Sequence, residues 1–228
     1  MAQRLKKDTL MSLSSQNYPD SRLEMLKYIP APARRILEVG CGTGAFAMQL
    51  LSEKREVWGV EPDTEGARIA ASRNLFKVFN QKIEDVIPSL PNDYFDTIIF
   101  NDVLEHLYDP WGVLRLISSK LSDEGKIIAC VPNFRYVTSL YEIVVKKDWQ
   151  YRNEGGVLVF PHIRFFTRKS IESMFATCGY RILRLDGITR TKSMKGFTLA
   201  LLINLLSLGY HRDIFFKQFA IVAEKSGT

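Results

Sequence analysis

A doubly wound α/β fold is predicted for this chain by three features of its sequence. Short apolar runs alternate with helical segments from residue 34 to about residue 131. The runs are apolar at successive positions rather than at every second one, as in strands buried on both faces of a parallel sheet. A glycine-rich turn, Gly40-Cys41-Gly42-Thr43-Gly44, joins the first run directly to the first helix.

The elements follow in order. Ile36-Leu37-Glu38-Val39 is a strand ending at the glycine turn, and Ala45 to Leu51 is a helix that turns Phe46 and Leu50 inward. Val57-Trp58-Gly59-Val60 is the second strand, followed by a polar helix near Thr64 to Ser72. Lys77-Val78-Phe79 is a short third strand, and Phe95 to Phe100 a fourth with Ile98 and Ile99 on opposite faces. Trp111 to Leu121 places Val113, Leu114, Ile117 and Leu121 on one helical side. A turn at Asp123-Glu124-Gly125 introduces a fifth strand, Lys126 to Val131, stopped by Pro132. Right-handed crossovers then wind helices over both faces, and ligands belong at the carboxyl ends of the strands, near the switch in strand order.

Residues 133–166 break this rhythm with aromatic and charged side chains around Gly155-Gly156, and read as an inserted lid or substrate segment. Thr167 caps a helix that Gly179 ends. Arg181 to Leu185 and Lys217 to Ala223 are two last strands, separated by a second insertion, 187–214, that is mostly apolar and helical from Lys192 to Tyr210. Residues 1–228 thus form one domain with two inserted segments.

With 228 residues, 46% apolar and 25% charged, the chain can bury a full core. Its net charge of +6 suits anionic partners, but no basic stripe with interleaved aromatics occurs, so no nucleic-acid partner is expected. Cys41, Cys130 and Cys178 have no metal-ligand or disulfide spacing and read as free thiols. Residues 1–20 lack the apolar stretch of a signal peptide, and Phe197 to Leu208 is too short to span a bilayer. The expected location is cytoplasmic.

Glycines at alternate positions allow a sharp turn and a close backbone approach to a ligand, and the helix that follows opens with free N–H groups. Glu61, at the end of the second strand and roughly 20 residues further on, is placed to accept both hydroxyls of a ribose. A nicotinamide dehydrogenase would use Gly-x-Gly-x-x-Gly instead, and no Gly-Lys-Ser/Thr follows to make a phosphate-binding P-loop.

With these residues the chain resembles the class I S-adenosylmethionine-dependent methyltransferase family. Glu38 to Gly44 matches its Glu-x-Gly-x-Gly-x-Gly signature, Gly59-Val60-Glu61-Pro62 its second motif, and Phe95 to Leu107 its fourth. The resemblance implies a Rossmann-like sheet of seven mostly parallel strands with a reversed last hairpin. It implies that S-adenosyl-L-methionine, and S-adenosyl-L-homocysteine as product, contacts Glu38, Gly40, Cys41, Gly42 and Gly44, with Glu61 and Pro62 at the ribose. Ile83 or Glu84 would border the adenine, although the family's usual Gly-Asp is replaced here by Gln81-Lys82. Asn101 and Val103 would line the methionine end, and Tyr18 and Arg22 would cover the cofactor.

For the acceptor, the Asp/Asn-Pro-Pro-Tyr/Phe motif of nucleobase amino-methylating enzymes is replaced by Asn101-Asp102-Val103-Leu104. A hydroxyl acceptor benefits from a base. His106 follows strand four, while His162 and Arg164, two apart in an extended segment, would point the same way as base and anion clamp. No His/Asp/Glu group has ligand spacing, so no metal is expected. The stretch from Pro132-Asn133 to His162-Ile163-Arg164-Phe165-Phe166-Thr167 resembles methyltransferases of bacterial surface-polysaccharide clusters, implying O-methylation of a sugar hydroxyl on a nucleotide- or lipid-linked glycan. The alternatives are O-methylation of a quinone or other small aromatic, and a non-catalytic cofactor-binding regulatory or assembly protein. The apolar insertion could meet a lipid carrier or membrane face, serve as a lid helix, or form a homodimer contact.

Overall fold

The computed structural model describes residues 22–153, 157–191 and 194–227. After a 3-10 turn, Leu23–Tyr28, the elements are β1 Arg35–Val39, α1 Ala45–Leu50, β2 Glu56–Val60, α2 Thr64–Ala71, β3 Lys77–Phe79, α3 Ile83–Val86 and β4 Phe95–Asn101. Then come α4 Pro110–Ile117, β5 Leu121–Pro132, α5 Val137–Leu140, α6 Arg168–Thr177, β6 Tyr180–Arg190, α7 Met194–Leu206 and β7 Phe216–Lys225. The strands form one seven-stranded sheet, ordered β3-β2-β1-β4-β5-β7-β6. β1 pairs in parallel with β2 and β4, β2 pairs in parallel with β3, and β6 and β7 are antiparallel. This is the expected Rossmann-like sheet with its reversed last hairpin, and the order reverses between β1 and β4.

By internal contacts the chain divides into two compact units. One holds the described residues up to Asn101 together with Leu116–Lys126; the other holds Asp102–Arg115 and the residues from Ile127 onward. In the first, Ile36, Leu37, Val57, Val60, Ile98 and Ile99 are buried on adjacent strands, which accounts for the continuous apolar runs. The side chain of Asp63 caps α2 by accepting from the Gly66 N–H at 2.8 Å. In the second unit, Thr167 and Ser170 form a reciprocal capping box on α6, and Gly179 closes that helix with φ +83°.

Two boundaries differ from the sequence expectation. Asp123-Glu124-Gly125 does not turn but lies inside β5. Gly125 is there for closeness: a Cβ at this position would stand 2.7 Å from the Leu121 side chain and 2.9 Å from the Phe95 carbonyl. β6 continues to Arg190, which pairs with Phe216, so the second inserted segment begins after residue 190 rather than at 187. The first segment leaves and returns at one point, where the Phe134 N–H donates to the Phe166 carbonyl at 2.8 Å. Among the described residues no helix is long and apolar enough to cross a membrane.

Candidate functional site

The glycine turn after β1 takes the shape its spacing demands. Gly40, Gly42 and Gly44 all have left-handed φ, at 67°, 54° and 76°, a conformation that side chains disfavour. The Gly40 and Cys41 N–H groups both donate to the Val60 carbonyl, which ties the turn to the end of β2. The Gly42 N–H donates to Glu61 Oε2 at 2.8 Å, and the Asp63 N–H to Glu61 Oε1 at 2.9 Å. Both oxygens of buried Glu61 thus accept from the main chain, and each carboxylate oxygen can accept more than one bond. Asn80 fixes this strand end, its amide donating to the carbonyls of Glu61 and Pro62; no sequence spacing marked it.

Glu38 is buried beneath the turn. Burial pushes its pKa up to about 8, against the opposing pull of the Asn101 side chain and the Ala47 N–H, with Glu61 adding to the rise. Among the described residues, Glu38 Oε2 and both polar atoms of the Asn101 amide are buried without a partner of hydrogen-bond geometry. Buried polar groups are rarely left so in folded proteins, and these orphans, beside backbone with no side chains in the way, fit a polar ligand such as the methionine end of the implied cofactor. Burial pushes the Cys41 thiol up, so it packs rather than reacts.

The remaining cofactor expectations divide. Ile83 is buried at the start of α3, so its side chain packs in the core and only its backbone could border a ligand; Glu84 and Pro62 are exposed. Arg22 opens the 3-10 turn and bonds Glu24 at 3.5 Å. Tyr18 lies outside the described residues. Val103 is buried in the second unit.

In that second unit, Asp102 takes a left-handed φ of 53° without being glycine. Such strain, about 1–2 kcal/mol, is held by two bonds: Gln218 Nε2 donates to Asp102 Oδ1 at 2.8 Å, and the Asp102 N–H donates to the Cys130 carbonyl at 3.0 Å. Glu105 and His106 follow. The N–H groups of Ile163 and Arg164 donate to the Glu105 carbonyl at 2.9 and 3.1 Å, which pins the returning segment onto this loop.

The two histidines meet there. His106 Nδ1 lies 2.9 Å from the Pro161 carbonyl and His162 Nδ1 lies 2.8 Å from the Val157 carbonyl. A carbonyl only accepts, so each neutral ring carries its proton on Nδ1 and keeps a lone pair on Nε2. The ring centroids are 4.8 Å apart, and His162 Nε2 is 3.9 Å from an oxygen of the fully buried Glu105 carboxylate. Burial lowers the pKa of His162 to about 4, opposed by the Val157 carbonyl and reinforced by His106. His106, whose ring edge still reaches solvent, is lowered by the same burial against the pull of Pro161.

His162 and Arg164 both reach the 105–108 loop, but at different ends. Arg164 lies over the Tyr108 ring and donates to the Tyr108 carbonyl. Phe134, Trp149 and Phe165 form an aromatic group with centroids 5.3–5.7 Å apart. Arg135, Arg168, Lys169 and Arg212 line a separate pocket of about 500 Å³ in the same unit.

Comparison with known proteins places the chain in a class first. Residues 13–185 match the methyltransferase-domain family, and the chain belongs to that family. It is 28% identical over 123 residues to a ubiquinone biosynthesis O-methyltransferase of Xanthomonas euvesicatoria, covering 51% of this chain and 48% of that protein. To the protein of the same name in Aeromonas salmonicida it is 23% identical over 185 residues, 79% of this chain and 73% of the other. The chain spans about half the length of the first of these relatives. Among solved structures, a SAM-dependent methyltransferase of Archaeoglobus fulgidus aligns with a TM-score of 0.64 at 21% identity, over 89% of this chain and 92% of that one. A plantazolicin methyltransferase aligns with a TM-score of 0.60 at 15% identity, over 97% and 88%; both likenesses concern the fold.

Proposed function

We propose that this chain transfers a methyl group from S-adenosylmethionine to a hydroxyl of a small acceptor. The observation that carries the reading is the cradle after β1: three left-handed glycines beside buried Glu38 and Glu61, in a member of the methyltransferase-domain family. When bound, the cofactor supplies a methyl group activated on a sulfonium. Glu61 would take its ribose hydroxyls with Pro62 alongside, Gly40, Gly42, Glu38 and Asn101 the methionine end, and the backbone at Ile83, with Glu84, the adenine. Val103 follows Asn101 in the chain and would border the methyl; Arg22 and Tyr18 would cover the cofactor. The protein's further task is to align the acceptor and strip it of water. His106 and His162 would face the hydroxyl.

The relatives named for ubiquinone biosynthesis favour a phenolic or quinol acceptor over a sugar, and the Phe134–Trp149–Phe165 group suits a flat ring. A second reading, O-methylation of a phosphate-linked glycan, is favoured by the pocket of Arg135, Arg168, Lys169 and Arg212, whose cations suit phosphate oxygens. In that reading the exposed leucines of α7 would rest against a lipid carrier.

Titration calorimetry with S-adenosylhomocysteine and, separately, NADH tests the cofactor; micromolar binding of the first alone is expected. Binding of NADH alone would make this a dehydrogenase, and binding of neither would reject the cofactor reading of the glycine turn. Labelled cofactor offered with polyhydroxylated aromatics, sugar nucleotides and lipid-linked glycans then decides the acceptor. Label confined to the aromatics rejects the glycan reading, and label confined to the glycans rejects the quinol one.

A further inference from the structure

The Glu105–His106–His162 group has the composition of a metal site, though its members come from two separate loops. One ligand atom from each residue lies within 4.8 Å of the other two. Both imidazoles are anchored through Nδ1 on main-chain carbonyls, Pro161 for His106 and Val157 for His162. That is how metal-bound histidines are oriented, with Nε2 left as the donor. The loops carrying the ligands are themselves joined, since the Glu105 carbonyl accepts from the Ile163 and Arg164 N–H groups.

We propose that Glu105, His106 and His162 bind one divalent transition-metal ion, leaving coordination positions open to an oxygen donor. Two imidazoles and one carboxylate suit Zn²⁺, Fe²⁺, Co²⁺ or Mn²⁺, whereas Mg²⁺ and Ca²⁺ prefer sites built from oxygen alone. Ligands held about 2.0–2.2 Å from one tetrahedral ion stand roughly 3.4 Å apart. The ligand atoms now lie up to 4.8 Å apart, so binding the ion would draw the three side chains together. A three-ligand site with a free position polarises an oxygen bound there. The ion's role in holding the acceptor's hydroxyl rests on the methyl-transfer reading; the ion's binding does not.

The test uses the whole chain, stripped with a chelator and titrated with Co²⁺, Zn²⁺ or Mg²⁺ alone. One Co²⁺ per chain is expected, with visible d–d absorption, and no binding of Mg²⁺. Glu105→Gln and His162→Ala should each weaken Co²⁺ binding at least tenfold. Because both positions are buried, melting curves accompany them, and His106→Gln, at the ring that reaches solvent, should show the same loss if either melts early. Absence of Co²⁺ uptake by the natural chain, or undiminished uptake by the folded variants, overturns the site. S-adenosylhomocysteine is titrated in parallel. Loss of that binding with Co²⁺ retained would reject methyl transfer and leave the metal site standing, and the reverse result would do the opposite.

Discussion

Glu38 is under electrostatic tension, because a carboxyl taken out of water by burial resists ionisation. Its folded pKa, about 8, lies above its ordinary 4.5. Below pH 4.5 the group is protonated folded or unfolded and costs nothing. Between 4.5 and 8 the unfolded chain gives up the proton while the folded chain keeps it, so stability falls as pH rises, and above 8 the cost levels off. Glu38→Gln removes this dependence. Its melting temperature relative to the natural chain should therefore climb between pH 5.5 and pH 8, by at least about 3 °C for a cost of one or two kcal/mol. A difference that stays constant with pH would show that Glu38 ionises normally. Glu61 behaves differently: its two oxygens already accept from Gly42 and Asp63. Glu61→Gln keeps one acceptor oxygen and the side-chain size, so the fold should hold. The dissociation constant for S-adenosylhomocysteine should still rise about tenfold or more, the worth of a charged hydrogen bond. Unchanged affinity would remove Glu61 from the cofactor site. These two residues and the glycines were legible in the sequence because strand, turn and carboxylate lie close along the chain. The meeting of Glu105 with His162 was not, because it exists only where the 157–164 segment returns to the loop after β4.

At the scale of elements, the packing of β2 against the glycine turn is decided by one missing side chain. A Cβ at Gly59 would stand 2.7 Å from Cys41 Sγ, closer than real contacts allow. Gly59→Ala should therefore displace the turn and weaken S-adenosylhomocysteine binding several-fold. Cys41→Ala, which removes the sulfur, should restore much of the affinity when combined with it. A double variant no better than Gly59→Ala alone would mean that the strand itself, not the turn, has moved. The capping box on α6 is a simpler case: Thr167→Ala should cost about 1 kcal/mol, read as a lowered denaturation midpoint with an unchanged m-value. Caps and turns of this kind are local and could be read from sequence. The ends of β5 and β6 could not, because pairing set them: Gly125 stays in the strand through its approach to Phe95, and β6 extends because β7 offers partners as far as Phe216.

At the scale of the molecule, alternating apolar runs were sufficient to anticipate the sheet, but not how the two inserted segments relate. They share a core. Val137 of the first segment packs with Ala200, Ile214 and Phe215 of the second, and Asn204 ties α7 to the His211 carbonyl. The helix is apolar on every side, which is why its sequence showed no preferred face. Among the described residues only one side is used: Ala200 is fully buried, whereas Leu205 and Leu206 are 73% and 77% exposed. Substitutions on the two sides should therefore separate. Ala200→Leu forces extra volume into the shared core and should cost about 1–3 kcal/mol, several degrees in melting temperature. The pair Leu205→Gln and Leu206→Gln removes no buried area within the chain and should shift melting by no more than about 1 °C. If the outer pair instead destabilised as much as Ala200→Leu, and did so more strongly at high protein concentration, the leucines would be buried in solution by a second copy of the chain. A loss independent of concentration would place their cover within the chain itself.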